Sequence, residues 1–164
     1  MEQQNMQQQD MREPSLEHST VTVRGLLPED MQAVIALDAK TTGRRREEYF
    51  KVKLEQNLVE TGIKVSLAAE YDDLFAGFLL ARVFYGEFGQ SEQVAVLDTL
   101  VAHPDFRRKG IGKALLEQLC MNLKALGVTR LQTEVLWDDM DLIRFFHDVG
   151  FSPAQRLCLD YDLA

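Results

Sequence analysis

The stretch VLDTLVAHPDFRRKGIGKALLEQL, residues 96–119, constrains the fold more than any other part of the chain. An apolar run stops at Pro104, and a short basic loop containing Gly110 and Gly112 follows. The chain then enters a segment in which Ile111, Leu115 and Leu119 recur at helical spacing. Strand, turn and helix in direct succession put a helix N-terminus at the end of a strand. The first N–H groups of such a helix lack intrahelical acceptors, and its dipole adds partial positive charge. Gly110 and Gly112 carry no Cβ, so an anion can come close to that backbone. Arg107, Arg108, Lys109 and Lys113 add cationic side chains around it. These parts suit a pyrophosphate; by spacing alone, a basic turn before a surface helix is the other reading. Neither the G-x-x-x-x-G-K-[ST] spacing of a P-loop nor an early dinucleotide-binding glycine fingerprint is present.

The flanking elements follow from periodicity and punctuation. Residues 1–18 are rich in Gln and Met without period and are expected to be a flexible tail, with a single domain over 19–164. Val21 and Val23 alternate in a short strand at Thr20–Arg24. Pro28 opens a helix carrying Met31, Val34, Ile35 and Asp38. Past Gly43 and Arg44-Arg45-Arg46, a second helix with Phe50, Leu54 and Leu58 ends at Gly62. Lys64–Tyr71 and Leu74–Tyr85 read as a hairpin turned at Asp72-Asp73, and Glu92–Ala102 as a third strand. A helix over 109–126 closes at Gly127. A strand at Thr129–Leu136, a helix at Met140–Val149 and a last strand or pair of strands over Phe151–Tyr161 complete the chain. The helical crossover between Glu92–Ala102 and Thr129–Leu136 makes that pair parallel in a mainly antiparallel sheet, an α/β (α+β) architecture.

Charge and composition narrow the partners. The 26 acidic and 18 basic side chains leave a net charge of −8, which repels phosphate backbones and argues against nucleic acid. No run approaches the roughly 18 apolar residues of a membrane span. No signal-peptide pattern opens the chain, so cytoplasm is the expected location. Cys120 and Cys158 are expected to be buried free thiols rather than a disulfide or half of a metal site.

Taken together, these motifs resemble a known family. Arg107-Arg108-Lys109-Gly110-Ile111-Gly112 is similar to the [QR]-x-x-G-x-[GA] signature of the GCN5-related N-acetyltransferases (GNAT). The preceding Leu97–Pro104 and following Lys113-Ala114-Leu115-Leu116 fit the family's strand, proline and helix. Phe145-Phe146-His147-Asp148-Val149-Gly150-Phe151 resembles its F-Y-x-x-x-G-F ending. The resemblance covers nearly the whole chain beyond residue 20. It implies the GNAT fold, with a splayed parallel strand pair, and transfer of an acetyl group from acetyl-CoA to a primary amine on a peptide or small molecule. An acyl-CoA-binding regulatory module is the alternative. A homodimer is compatible with either.

The resemblance also implies roles. Leu100, Val101 and Ala102 line the pantetheine arm, and Arg107, Arg108, Lys109, Gly110, Ile111, Gly112 and Lys113 hold the pyrophosphate. The Leu100 N–H faces the thioester oxygen. Thr133-Glu134-Val135 resembles the segment bearing the catalytic glutamate of ribosomal-protein alanine N-acetyltransferases. Glu134 is therefore the first candidate base and Asp98 the second. Two positions depart from the pattern: Phe146 stands where many relatives carry an acidic tyrosine, and Asp139 where they carry a cofactor-contacting asparagine. Tyr85 and His147 are substitute donors. Arg44–Arg46, Tyr49, Tyr85, Glu87, Trp137 and the acidic run Asp138, Asp139 and Asp141 are expected around the acceptor.

Overall fold

The computed structural model describes residues 20–85, 89 and 91–163. The expected tail at 1–18, and Glu87, lie outside the described residues. The elements follow in the order β1 (Val21–Gly25), α1 (Met31–Thr42), α2 (Glu47–Leu54), β2 (Leu67–Tyr71), β3 (Leu74–Tyr85), β4 (Gln93–Ala102), α3 (Ile111–Ala125), β5 (Arg130–Thr133) and α4 (Met140–Asp148). The strands form one sheet in the order β1-β2-β3-β4-β5. All neighbours are antiparallel except β4 and β5, which run parallel as the crossover required.

Each face of the sheet is covered by its own pair of helices. On one face α1 and α2 bury Val34, Ile35, Phe50 and Leu54 against Phe78 and Leu80. On the other, α3 buries Ile111, Leu115, Leu119 and Leu123 against Leu79, Ala81 and Leu97, with Phe146 of α4 beside them. Successive residues of β3 alternate between the two cores because strand side chains alternate between faces. Gly77 lets α3 sit down on this surface. A Cβ there would stand 2.6 Å from Ile111 Cγ2 and 2.8 Å from the Val101 carbonyl, closer than real contacts allow.

An ion pair fastens α1 to α2. Asp38 is fully buried and accepts from Arg46 Nε at 2.9 Å and from an Arg46 terminal nitrogen at 2.5 Å. The carboxylate in turn raises the Arg46 pKa through that hydrogen bond. Arg46→Met is expected to destabilise the protein by about 2–3 kcal/mol, because it strands a buried carboxylate. The figure sits below that for a fully buried pair because the guanidinium is 40% exposed. A lower urea midpoint at unchanged m-value checks it.

Four expectations need correction. The second helix does not continue as α-helix to Leu58; past Leu54 it widens into a π-turn at Glu55–Val59. The strand expected at Thr129–Leu136 ends at Thr133, because β5 pairs with β4 only as far as Leu97↔Thr133. No strand forms over 151–161: beyond Phe151 the chain is irregular, and Leu157, Leu159 and Tyr161 are 86–87% exposed. With no neighbouring strand, the alternation has nothing to pair with. Cys158 is consequently exposed rather than buried, and Cys120 is half-buried; both are free thiols. Among the described residues, no helix is long and apolar enough to cross a membrane.

Candidate active site

The parallel strands β4 and β5 separate where the sheet meets α3. Two local features drive them apart. Leu80 pairs with Thr99 but Ala81 pairs with Leu97, so Asp98 is an extra residue on β4, a bulge that bends the strand. On β5, the Thr133 hydroxyl donates to the Leu97 carbonyl at 2.9 Å and occupies that acceptor at the end of the ladder. Beyond this point the β5-facing side of β4 has no strand partner among the described residues, and Leu100, Val101 and Ala102 lie along that gap.

A cavity of about 60 Å³ opens at the fork, lined by Asp98, Leu100, Thr133, Glu134, Leu142 and Phe146. The two candidate bases therefore meet at one place. They are held differently. Glu134 is exposed, one residue past the end of β5, with its place at the cavity wall. Asp98 accepts from Lys53 Nζ at 3.0 Å and from the Thr99 hydroxyl at 3.3 Å. Sequence reasoning did not single out Lys53; it named Thr133 only as a neighbour of Glu134, and Leu142 only as a residue standing where the family it resembles usually has a small alanine. Helical spacing carries no sign that α2 crosses β4 at its bulge, so only the tertiary fold brings Lys53 there.

The basic loop is built as its glycines require. Arg108 takes φ +64° and Gly110 φ +77°, left-handed positions within two residues of each other. Gly110 then caps α3, whose first bond runs from the Ala114 N–H to the Gly110 carbonyl at 2.9 Å. The N–H groups of Ile111, Gly112 and Lys113 precede that ladder and face outward at the positive end of the dipole. A Cβ on Gly112 would meet Phe145 Cζ at 3.2 Å, so this glycine also seats α4 against α3. Arg107, Arg108 and Lys109 are exposed, with the Lys109 ammonium 5.6 Å from the Tyr71 ring centre. Lys113 lies 3.8 Å from Glu117. Behind the loop, Lys40 Nζ donates to Asp105 at 2.6 Å and holds that carboxyl below its usual range, by the hydrogen bond first.

Other expected residues are placed elsewhere or occupied. Phe146 is buried, packed at 4.9 Å from Phe151, and presents a hydrocarbon wall to the cavity. Asp139 caps α4, its carboxylate accepting from the Leu142 N–H at 3.1 Å. The Tyr85 hydroxyl bonds Gln93, and His147 points to solvent beside Asp148, so neither reaches the cavity wall. Of the arginine run, Arg46 is committed to Asp38 and Arg45 to Glu47 and Gln32, while Arg44 is exposed. Trp137 is exposed and Tyr49 stacks edge-on against Phe50.

The chain therefore presents a sheet whose one parallel pair parts at a cavity lined by two carboxylates, with a basic, glycine-bearing loop leading from β4 into α3. The model of the acetyltransferase (GNAT) family matches residues 31–151, and the chain belongs to that family. The [ribosomal protein bS18]-alanine N-acetyltransferase of Salmonella typhimurium is 32% identical over 90 residues, 55% of this chain and 56% of that protein. The Escherichia coli K12 protein of the same name is 37% identical over 79 residues, 48% of this chain and 49% of its own. The chain thus spans about half the length of the curated relatives it matches. Among solved structures, aminoglycoside N-acetyltransferase AAC(6')-Iy with a bisubstrate analog superposes at a TM-score of 0.75 and 17% identity, over 89% of this chain and all of that one. A ribosomal-protein-alanine N-acetyltransferase from Brucella melitensis biovar Abortus 2308 gives 0.71 and 18%, over 88% of this chain and 100% of that one. These likenesses establish a shared fold.

Proposed function

We propose that residues 19–164 form one acetyltransferase domain that moves an acetyl group from acetyl-CoA to a primary amine. One observation carries the reading: Asp98 and Glu134 line a single cavity where the pairing of β4 with β5 ends, and β4 leads through the basic loop into the N-terminus of α3. The residues present fit coenzyme A. The N–H groups of Ile111, Gly112 and Lys113, with Arg107, Arg108 and Lys109 around Gly110, suit a pyrophosphate. The open side of Leu100, Val101 and Ala102 suits the amide-bearing pantetheine arm.

Bound acetyl-CoA supplies an acetyl group activated as a thioester. The chain's own residues do the rest. Glu134 takes the proton from the incoming ammonium, directly or through water, since a free amine is the nucleophile. The Leu100 N–H donates toward the oxygen on which charge develops. Phe146 and Leu142 keep the wall dry, which strengthens both effects. No side-chain acid is assigned to the departing sulfur, because a thiol with a reference pKa of ~8.5 leaves readily as its anion. Asp139 caps α4 at the start of the helix that carries Leu142 and Phe146 to the cavity wall, and its second carboxylate oxygen stays available to coenzyme A.

Release of coenzyme A thiol, measured with peptide N-terminal amines, lysine peptides, aminoglycosides and polyamines, tests the reading. Turnover with one class is expected. Tight acetyl-CoA binding without turnover across the panel favours the regulatory module, for which Phe146 in place of an acid is the supporting observation. The acidic surface and the free thiols Cys120 and Cys158 support an amine-bearing partner other than nucleic acid and a reducing, cytoplasmic setting.

A homodimer belongs to the same reading. Leu157, Leu159, Tyr161 and Leu163 alternate along an extended segment and are each at least 86% exposed. Among the described residues, β5 also has no strand on its outer edge. Light scattering is expected to give twice the chain mass, and Leu157→Asp with Leu159→Asp to give the monomer. A monomeric wild type at all concentrations removes this part.

A further inference from the structure

The amine nearest the proposed chemistry belongs to the protein itself. Lys53 Nζ lies 3.0 Å from Asp98 Oδ1, with only about a fifth of either side chain exposed. Asp98 is the bulge residue of β4 and lines the cavity at the fork. Among the described residues, Lys53 is the only lysine with a contact to a side chain of that cavity; Lys40, Lys51, Lys109 and Lys113 engage Asp105, Glu48, Tyr71 and Glu117 instead.

Its backbone is held and its ammonium has partners. The buried Asn57 donates from Nδ2 to the Lys53 carbonyl at 2.7 Å, inside the π-turn that interrupts the helix there. Such turns are rare and recur at functional sites. At the other end the ammonium is 5.7 Å from the Tyr49 ring centre, so a carboxylate and an aromatic face enclose it. That enclosure is what an amine acceptor would need. A flexible four-carbon stem carries Nζ from Asp98 into the cavity without moving the backbone.

We propose that Lys53 is a self-acetylation site that controls access to the acceptor side of the cleft. This rests on the acetyl-CoA reading above. Asp98 takes one proton from the Lys53 ammonium, and the free Nζ attacks the thioester carbonyl carbon. A C–N bond forms and the C–S bond breaks; the second Nζ proton passes to the departing thiolate to give coenzyme A thiol, and Asp98 releases the first to solvent and is again a carboxylate. The product, an uncharged acetamide on Lys53, no longer pairs with Asp98. A second carboxylate is then free beside Glu134 to hold the ammonium of an external acceptor.

The test uses the full chain, stripped of acetyl groups by a lysine deacetylase and then incubated with acetyl-CoA. Peptide mapping by mass spectrometry and anion exchange follow the product. One acetyl group is expected on Lys53, at least about tenfold faster than on the exposed Lys124, with a shift to a more acidic species. The rate should not depend on protein concentration, and excess desulfo-coenzyme A should suppress labelling of Lys53 but not of Lys124. Lys53 labelled no faster than Lys124, or labelled equally with the competitor, overturns the inference even where external amines are turned over. If calorimetry shows no acetyl-CoA binding at all, the acetyltransferase reading fails and this inference with it.

Discussion

Glu134→Gln is expected to lower turnover at neutral pH by about 10²–10⁴ while leaving acetyl-CoA affinity unchanged. The substitution keeps the size and polarity of the side chain at the cavity wall but removes its capacity to accept a proton. An alkyl amine has a reference pKa near ~10.4, so almost all of it arrives protonated at neutral pH and must lose that proton before attack. The deficit should therefore shrink as pH rises, because bulk solvent then supplies free amine. Initial rates from pH 6 to 10, together with calorimetric titration of acetyl-CoA, check both halves. An unchanged pH–rate profile transfers the base role to Asp98, which the structure ties to Lys53 at 3.0 Å. Glu134 has no such tie among the described contacts and stands exposed at the same cavity.

Gly112→Glu is expected to abolish acetyl-CoA binding, a loss of more than about 10²-fold in affinity. Two effects act in the same direction. A carboxylate in the first turn of α3 lies where the pyrophosphate would meet the free N–H groups, and it cancels the positive end of the dipole for that ligand. The first side-chain atom would also stand 3.2 Å from Phe145 Cζ, so the longer side chain must push α4 aside or turn out over the anion site. Gly112→Ala separates the two. It adds only a methyl group against the Phe145 ring, so it should lower the melting temperature slightly and retain binding. Calorimetry on both variants, with thermal melts to confirm folding, gives the answer. Normal binding by Gly112→Glu places the anion elsewhere on the protein.

The course of the basic loop and of the helix behind it was legible because its physics is local. Glycine conformations, orphaned N–H groups and an Ile111-Leu115-Leu119 stripe depend on neighbours in sequence; only the start moved, from the expected 109 to Ile111, because Gly110 takes the left-handed cap. The strand ends were less legible. Thr129–Leu136 has the composition of a strand throughout, yet pairing stops at Thr133, where its hydroxyl takes the Leu97 carbonyl and the Asp98 bulge turns β4 away. Phe151–Tyr161 likewise has strand alternation without a strand, because a ladder needs a neighbour and alternation does not create one.

What the chain's sequence determined alone was the order of its elements as far as α4, the parallel pair forced by a helical crossover, and a basic, glycine-bearing loop at Arg107–Lys113 leading into a helix. Each follows from periodicity, from backbone geometry or from charge within a few residues. The tertiary structure decided which side chains face one another across the fork. It brought Glu134 and Asp98 to one cavity from separate strands, and set Lys53 of α2 against the bulge of β4. It committed Arg46 to buried Asp38 and gave Asp139 to the cap of α4. The pairing of Lys53 with Asp98 joins residues 45 positions apart, and its geometry comes from how the helices pack on the sheet rather than from spacing along the chain.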